Sequence, residues 1–255
     1  MPNSEIVTGG QPPDKPSDKT RGGKGQGFTA VEVVAGDSGH AICLDGKPLR
    51  TPQGVAFVLP AARLAEAIAD EWRAAAPRPP KPDAMPLTRV AGTVLDRLSQ
   101  QREIIERQLL SYAETELLCH RAQAPEALVR RQHETWQPLL DWVAIRHDAM
   151  LTVTTGIVAV EQPERSLAAL RGALAGLDPW RLAAISVAVA ASGSLVIGLA
   201  LSDGRIDPQA AFDAAELDAT WQIERWGEDK EAADRRAVVR ADLELAKRFL
   251  ELLDR

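Results

Sequence analysis

Residues 221–232 read WQIERWGEDKEA. Two tryptophans precede the adjacent carboxylates Glu228 and Asp229. Neighbouring carboxylates do acid/base work when one of them is desolvated; exposed, they meet the cations of a partner. Two more acids, Glu114 and Glu116, lie in SYAETELLCHRA, so a carboxylate enzyme would draw on Glu114, Glu116 and Glu228 and would need a deep pocket to hold them. Ser192-Gly193-Ser194-Leu195 resembles a nucleophile turn but lacks the G-x-S-x-G spacing and a preceding strand. It reads instead as a tight break that lets two buried helices approach. There is no phosphate loop, no G-x-G-x-x-G after a strand and no H-E-x-x-H. The four histidines (His40, His120, His133, His147) and two cysteines (Cys43, Cys119) are scattered without ligand spacing, so neither a metal nor a cofactor is expected.

Elements must hold these residues, and the angles between them restrict what they can do. On a helix, Trp221 and Trp226 lie roughly 140° apart, so one joins the core while the other faces a second surface. Gly227 is a natural helix stop. Asp229 is then the N-cap of a final helix whose positive end also suits Glu228 and Glu231. Capping accounts for Asp229 and leaves Glu228 less well explained.

The chain of 255 residues is 45% hydrophobic and 26% charged, an ordinary globular balance, and its net charge of −6 argues against a nucleic-acid surface. Six tryptophans among eleven aromatics fit both cores and interface anchors, so their number does not choose. Residues 1–27 hold six glycines and four prolines and read as a disordered tail. That tail has neither an apolar signal region nor the arginine-rich, acid-poor character of a transit peptide, so a bacterial cytoplasm is expected. Residues 182–201 are apolar enough to span a bilayer, but Ser192-Gly193-Ser194 interrupts them, so two buried helices are expected rather than membrane insertion.

Short strands are expected over 28–59, with Asp45-Gly46 as a hairpin turn. From Pro60 a helix carries Leu64, Ile68 and Trp72 on one stripe, with Trp72 packed on the strands. A second helix, opening near Pro86, carries Leu87, Ala91, Val94 and Leu98. Residues 125–147 are helical, and Pro138 should kink or divide them. LTVTTGIVAV at 151–160 reads as a strand. Asp178-Pro179 and Asp207-Pro208 are helix starts. Val239, Leu243, Ala246, Leu250 and Leu253 form the stripe of the last helix. The fold class is therefore α+β: a small N-terminal β-containing domain over 28–100 and a larger, mainly α-helical domain over 101–255.

In order along the chain, LDGKPLRTP, LAEAIADEW, MPLTRVAGTVLDR, YAETELLCHRA, W-x-P-L-x-x-W at 136–142, SGSL at 192–195 and WGED at 226–229 form a set. Together they resemble the assembly chaperones that act on the α subunit of the F-type ATP synthase head. The resemblance runs from about residue 28 to the C-terminus. It implies a non-enzymatic protein that binds the unassembled α subunit, shields its β-facing surface and releases it on assembly. It also implies a bacterial counterpart of a mitochondrial-matrix activity, and a partner site at Glu228, with Asp229 and Trp226 beside it. Trp72 is structural on this reading. Gly92 stands where the family often has a more polar residue and is expected to loosen its helix. The chain is taken as a monomer with no nucleic-acid partner and no stable membrane insertion.

Overall fold

The computed structural model describes residues 27–77, 81, 84–155 and 160–254; the tail assigned to 1–27 lies outside them except for Gly27. Strand β1 (Val31–Gly36) pairs antiparallel with β2 (Gly39–Leu44), with Val31 opposite Leu44. The turn at Asp45-Gly46 brings β3 (Lys47–Pro48) back onto β2, and β4 (Val58–Leu59) pairs with the other end of β2. β2 is thus the centre of the sheet. Asp45 also accepts the amides of Thr29 (3.0 Å) and Ala30 (2.8 Å), which fixes the entry into β1.

Helix α1 (Ala62–Ala75) covers this sheet with Leu64, Ala65, Ile68 and Ala69. It opens two residues after Pro60, because Ala61 is still extended. Trp72 is half-buried and packs on Phe28, with ring centroids 5.6 Å apart. Helix α2 (Pro86–Thr93) has proline in its first turn, where the missing N–H costs nothing. Its first amides are satisfied from another helix: the Glu71 carboxylate of α1 accepts from Leu87 N at 2.8 Å and Thr88 N at 2.9 Å. A π-helical turn over Val94–Leu98 follows two residues beyond Gly92 and leads into α3 (Ser99–Glu114), which kinks at Gln101. The domain boundary expected at residue 100 thus falls inside α3, and one hydrophobic core runs across it from Ile42 and Leu59 to Phe249 and Leu250.

Beyond α3, β5 (His120–Arg121) pairs in parallel with β6 (Thr154–Thr155). Of the strand expected over 151–160, Thr154–Thr155 is strand and 151–153 is not, while residues 156–159 lie outside those described. Helix α4 (Glu126–His147) passes Pro138 without dividing. Pro138 and Glu134, four residues earlier, are both exposed, so the carbonyl that proline leaves without a partner lies on the wet side of the helix. Then come α5 (Glu164–Ala175), α6 (Pro179–Ser192), α7 (Leu195–Ser202), α8 (Pro208–Ala215), α9 (Leu217–Trp226) and α10 (Lys230–Leu253). Asp178 caps α6 and Asp207 caps α8. Helix α10 packs along α6 and reaches α1, closing the two parts on each other.

The apolar run 182–201 is two buried helices, α6 and α7. Gly193 takes φ +70°, which ends α6. Gly198 lets α7 lie against α6, because a Cβ there would come within 2.5 Å of Val189. Among the described residues no helix is long and apolar enough to cross a membrane.

Candidate partner-binding site

The joint between α9 and α10 brings the three sequence-assigned residues together and gives each a different situation. Trp221 is 8% exposed and joins the interior, whereas Trp226 is 76% exposed. The predicted separation of the two indoles is therefore realised. Gly227, at φ +84°, turns the chain out of α9. Asp229 Oδ1 accepts from Ala232 N at 2.8 Å, so this carboxylate is engaged as the N-cap of α10. Glu228 Oε1 lies 3.1 Å from Arg236 Nε, and its side chain is 36% exposed.

Arg236 extends this contact inward. Its Nη1 donates to Glu216 Oε2 at 3.2 Å and to Thr220 Oγ1 at 3.1 Å, and its guanidinium lies 5.0 Å from the Phe212 ring centre. Arg235 grips the same Glu216 through two hydrogen bonds of 2.8 and 2.7 Å. Glu216 is buried, so two guanidiniums offset the cost of removing its charge from water. A chain of charges, Glu216–Arg236–Glu228, thus ties the α8–α9 corner to α10 and ends at the surface beside Trp226. Glu216 and Arg236 were not singled out from sequence. Their signal was the Arg235-Arg236 pair one to two turns into a helix capped by Asp229. A cleft of about 300 Å³ lined by Ile223, Trp226, Asp229 and Arg236 lies at this joint. The surface can offer an aromatic face and partly neutralised carboxylate to a partner's apolar and basic groups.

The alternative carboxylate set does not form a site. Glu116 is fully buried and is engaged by four donors: the Ser194 hydroxyl, Leu195 N (3.1 Å), Val196 N (3.3 Å) and Leu118 N (3.3 Å). Burial pushes its carboxyl up to about 7 against the pull of those donors. Glu114 is exposed at the end of α3, and Glu228 belongs to the α9–α10 joint. The SGSL segment is likewise a structural device. Ser192 Oγ accepts from Ser194 N, Glu116 accepts from Leu195 N and Val196 N, and Ser194 Oγ accepts from Ile197 N. The opening amides of α7 are thus all satisfied in a place water does not reach. Cys119 is also buried, and desolvation, with Glu116 nearby, pushes its thiol up to about 12, far from nucleophilic. Among the described residues no three His, Cys, Asp or Glu side chains gather as metal ligands.

The fold has close counterparts. The profile of the ATP12 chaperone protein family matches residues 27–144. The structure of Atp12 from Paracoccus denitrificans superposes with a TM-score of 0.85 at 40% identity, covering 90% of this chain and 98% of that one. An aspartate-to-lysine variant of P. denitrificans Atp12p gives the same TM-score, 0.85, and the same 40% identity, over 89% of this chain and 97% of that one. The mitochondrial atp12 protein of Schizosaccharomyces pombe is 26% identical over 218 residues, spanning 80% of this chain and 73% of that protein. Two fifths of the residues shared with Paracoccus Atp12 over nearly its whole length leave one conclusion, that this chain belongs to the ATP12 family of ATP synthase assembly chaperones and is not an enzyme.

Proposed function

We propose that this chain holds the unassembled α subunit of the F-type ATP synthase head, masks the surface that α later gives to β, and releases α during assembly. Family membership supports the chaperone role, and the ordered motif set supports α as the client. One observation carries the choice of surface: Trp226 stands 76% exposed at a capped, ion-paired joint beside Glu228 and Asp229. A large indole left in water next to partly neutralised acids is the composition of an interface anchor rather than of a solvated face. The carboxylates steer basic groups of α to the joint and set specificity, while the indole supplies apolar area. The chain works as a monomer in a bacterial cytoplasm on this reading.

The test is recovery of α. The tagged chain, produced with α in the absence of β, is expected to co-purify with α, and not to co-purify with the complete head. Failure to recover α under those conditions refutes the assignment.

A further inference from the structure

Three neighbouring clefts share lining residues along the face where the segment after β3 meets α2, α3 and α6. The first, about 580 Å³, lies between the segment after β3 and α2, and Phe57, Trp72 and Met85 contribute to its lining. The second, about 400 Å³, shares Arg89, Thr93 and Arg97 with the first and continues to Ala183 and Val187 of α6. The third, about 390 Å³, shares Ile105, Gln108, Ser186 and Ala190 with the second and ends at Tyr112. Together they line a stretch of surface with apolar and small-residue walls.

Two cations stand at its waist. Among the described residues, neither Arg89 nor Arg97 is in an ion pair; Arg97 reaches only Gln101, at 3.4 Å. Asp96, which shares the first cleft, is already engaged by the Thr51 hydroxyl, and Asp242 lines the second cleft without forming an ion pair there. The indole Nε1 of Trp72, which lines the first cleft, is buried without a hydrogen-bond partner. The groove therefore combines apolar walls with unpaired positive charge in a chain whose net charge is −6. The buried Trp72 donor lacks an acceptor, and the exposed guanidiniums of Arg89 and Arg97 are free to meet the carboxylate of an incoming chain.

We infer that this groove seats an apolar segment of the client α subunit that carries an acidic residue, with the carboxylate between Arg89 and Arg97. This rests on the proposed function and deepens it. The α9–α10 joint offers acid to the client and the groove offers base, so the two contacts together fix the client's orientation as well as its identity.

Gly92 provides a clean perturbation. It lines the first cleft within α2, and a Cβ built on it meets nothing within 4 Å. Gly92→Leu therefore fills the groove while raising helix propensity, so its melting temperature should match or exceed that of the parent. Arg89→Glu/Arg97→Glu reverses the waist charge, and Arg89→Lys/Arg97→Lys keeps it. In the co-production assay with α and no β, the parent recovers α. Gly92→Leu and the double Glu variant should recover at least tenfold less, and the double Lys variant should stay within about threefold of the parent. If the parent recovers no α, the functional assignment itself fails. If the parent recovers α and both blocking variants recover as much, the groove proposal is overturned. A photocrosslinker on Gly92→Cys identifies the occupant, because Cys43 and Cys119 are buried and escape labelling. A crosslink to an acid-containing apolar stretch of α supports the proposal. Crosslinks only to a second copy of this chain, or only to residues 1–26, overturn it.

Discussion

Removal of the buried Glu116 carboxylate has a size that can be worked out from its contacts. In Glu116→Ala, Leu195 N and Val196 N lose their acceptor at the start of α7, and Leu118 N loses its acceptor at the turn before β5. Leu118, Leu195 and Val196 are fully buried, so water does not replace the carboxylate. Each stranded buried amide costs about 1–3 kcal/mol. Three of them, with the small void left by the side chain, come to about 5–6 kcal/mol in the middle of that range. Against this stands the desolvation that Glu116 no longer suffers. Its carboxyl is pushed up to about 7 from 4.5, which is worth about 3 kcal/mol at pH 7, because the unfolded-state carboxyl is fully ionised there while the folded one is only about half so. The net loss expected at pH 7 is about 2–3 kcal/mol. Urea unfolding followed by far-UV circular dichroism measures it directly. A Glu116→Ala chain within about 1 kcal/mol of the parent, with an unchanged denaturant slope, would show that the carboxylate is not what completes α7.

Glu116→Gln keeps the shape and removes the titration. Because the folded-state carboxyl is raised, the native protein binds the extra proton between about pH 4.5 and 7, so this group's contribution to stability is greatest on the acid side and declines as pH rises through that window. The stability difference between parent and Gln variant should therefore drift by about 3 kcal/mol across the window, and a pH-independent difference argues against the assignment. Trp136→Phe deletes the indole donor to Ala214 O (2.8 Å) at a fully buried position and should cost about 2 kcal/mol in thermal or chemical unfolding; no measurable loss would mean that this bond is dispensable. Glu228→Lys breaks a half-exposed pair with Arg236 and should cost about 1 kcal/mol or less while abolishing α recovery. Wholesale unfolding of that variant would assign Glu228 to the joint alone.

Local chemistry was legible in the sequence wherever the partners lie within one or two turns. Asp178, Asp207 and Asp229 as caps, Gly193 and Gly227 as stops, and the stripe Leu64–Ile68 follow from spacing alone. Contacts made over long separations were not. Glu71 caps a helix that begins 15 residues later, and Glu116 caps one that begins 79 residues later, so neither shows the familiar S/T-x-x-E signature. Both lie inside motifs that carry the resemblance, and both complete the opening turns of scaffold helices. At the start of the strand expected over 151–160, residues 151–153 stay irregular, because β-branched residues favour strands only where a partner edge exists, and β5 offers just His120 and Arg121 to Thr154 and Thr155. Of the kink or division expected at Pro138, the helix is not divided, because the proline's cost depends on which face the orphaned carbonyl occupies. The clefts beside Arg89 and Arg97 left no pattern, since their walls come from the segment after β3, α2, α3 and α6.

The Arg236 bridge also bears on how readily the proposed complex would come apart. A client cation that takes hold of Glu228 displaces Arg236 from it, yet Arg236 keeps Glu216 and Thr220 and is not stranded. The client thus exchanges one cation for another at a carboxylate that is never bare, and Arg236 stands 3.1 Å away to reclaim it. Such an exchange lowers both the gain on arrival and the barrier on departure. The joint behaves as a latch with its own internal key, suited to a protein that must hold a subunit briefly and then give it up.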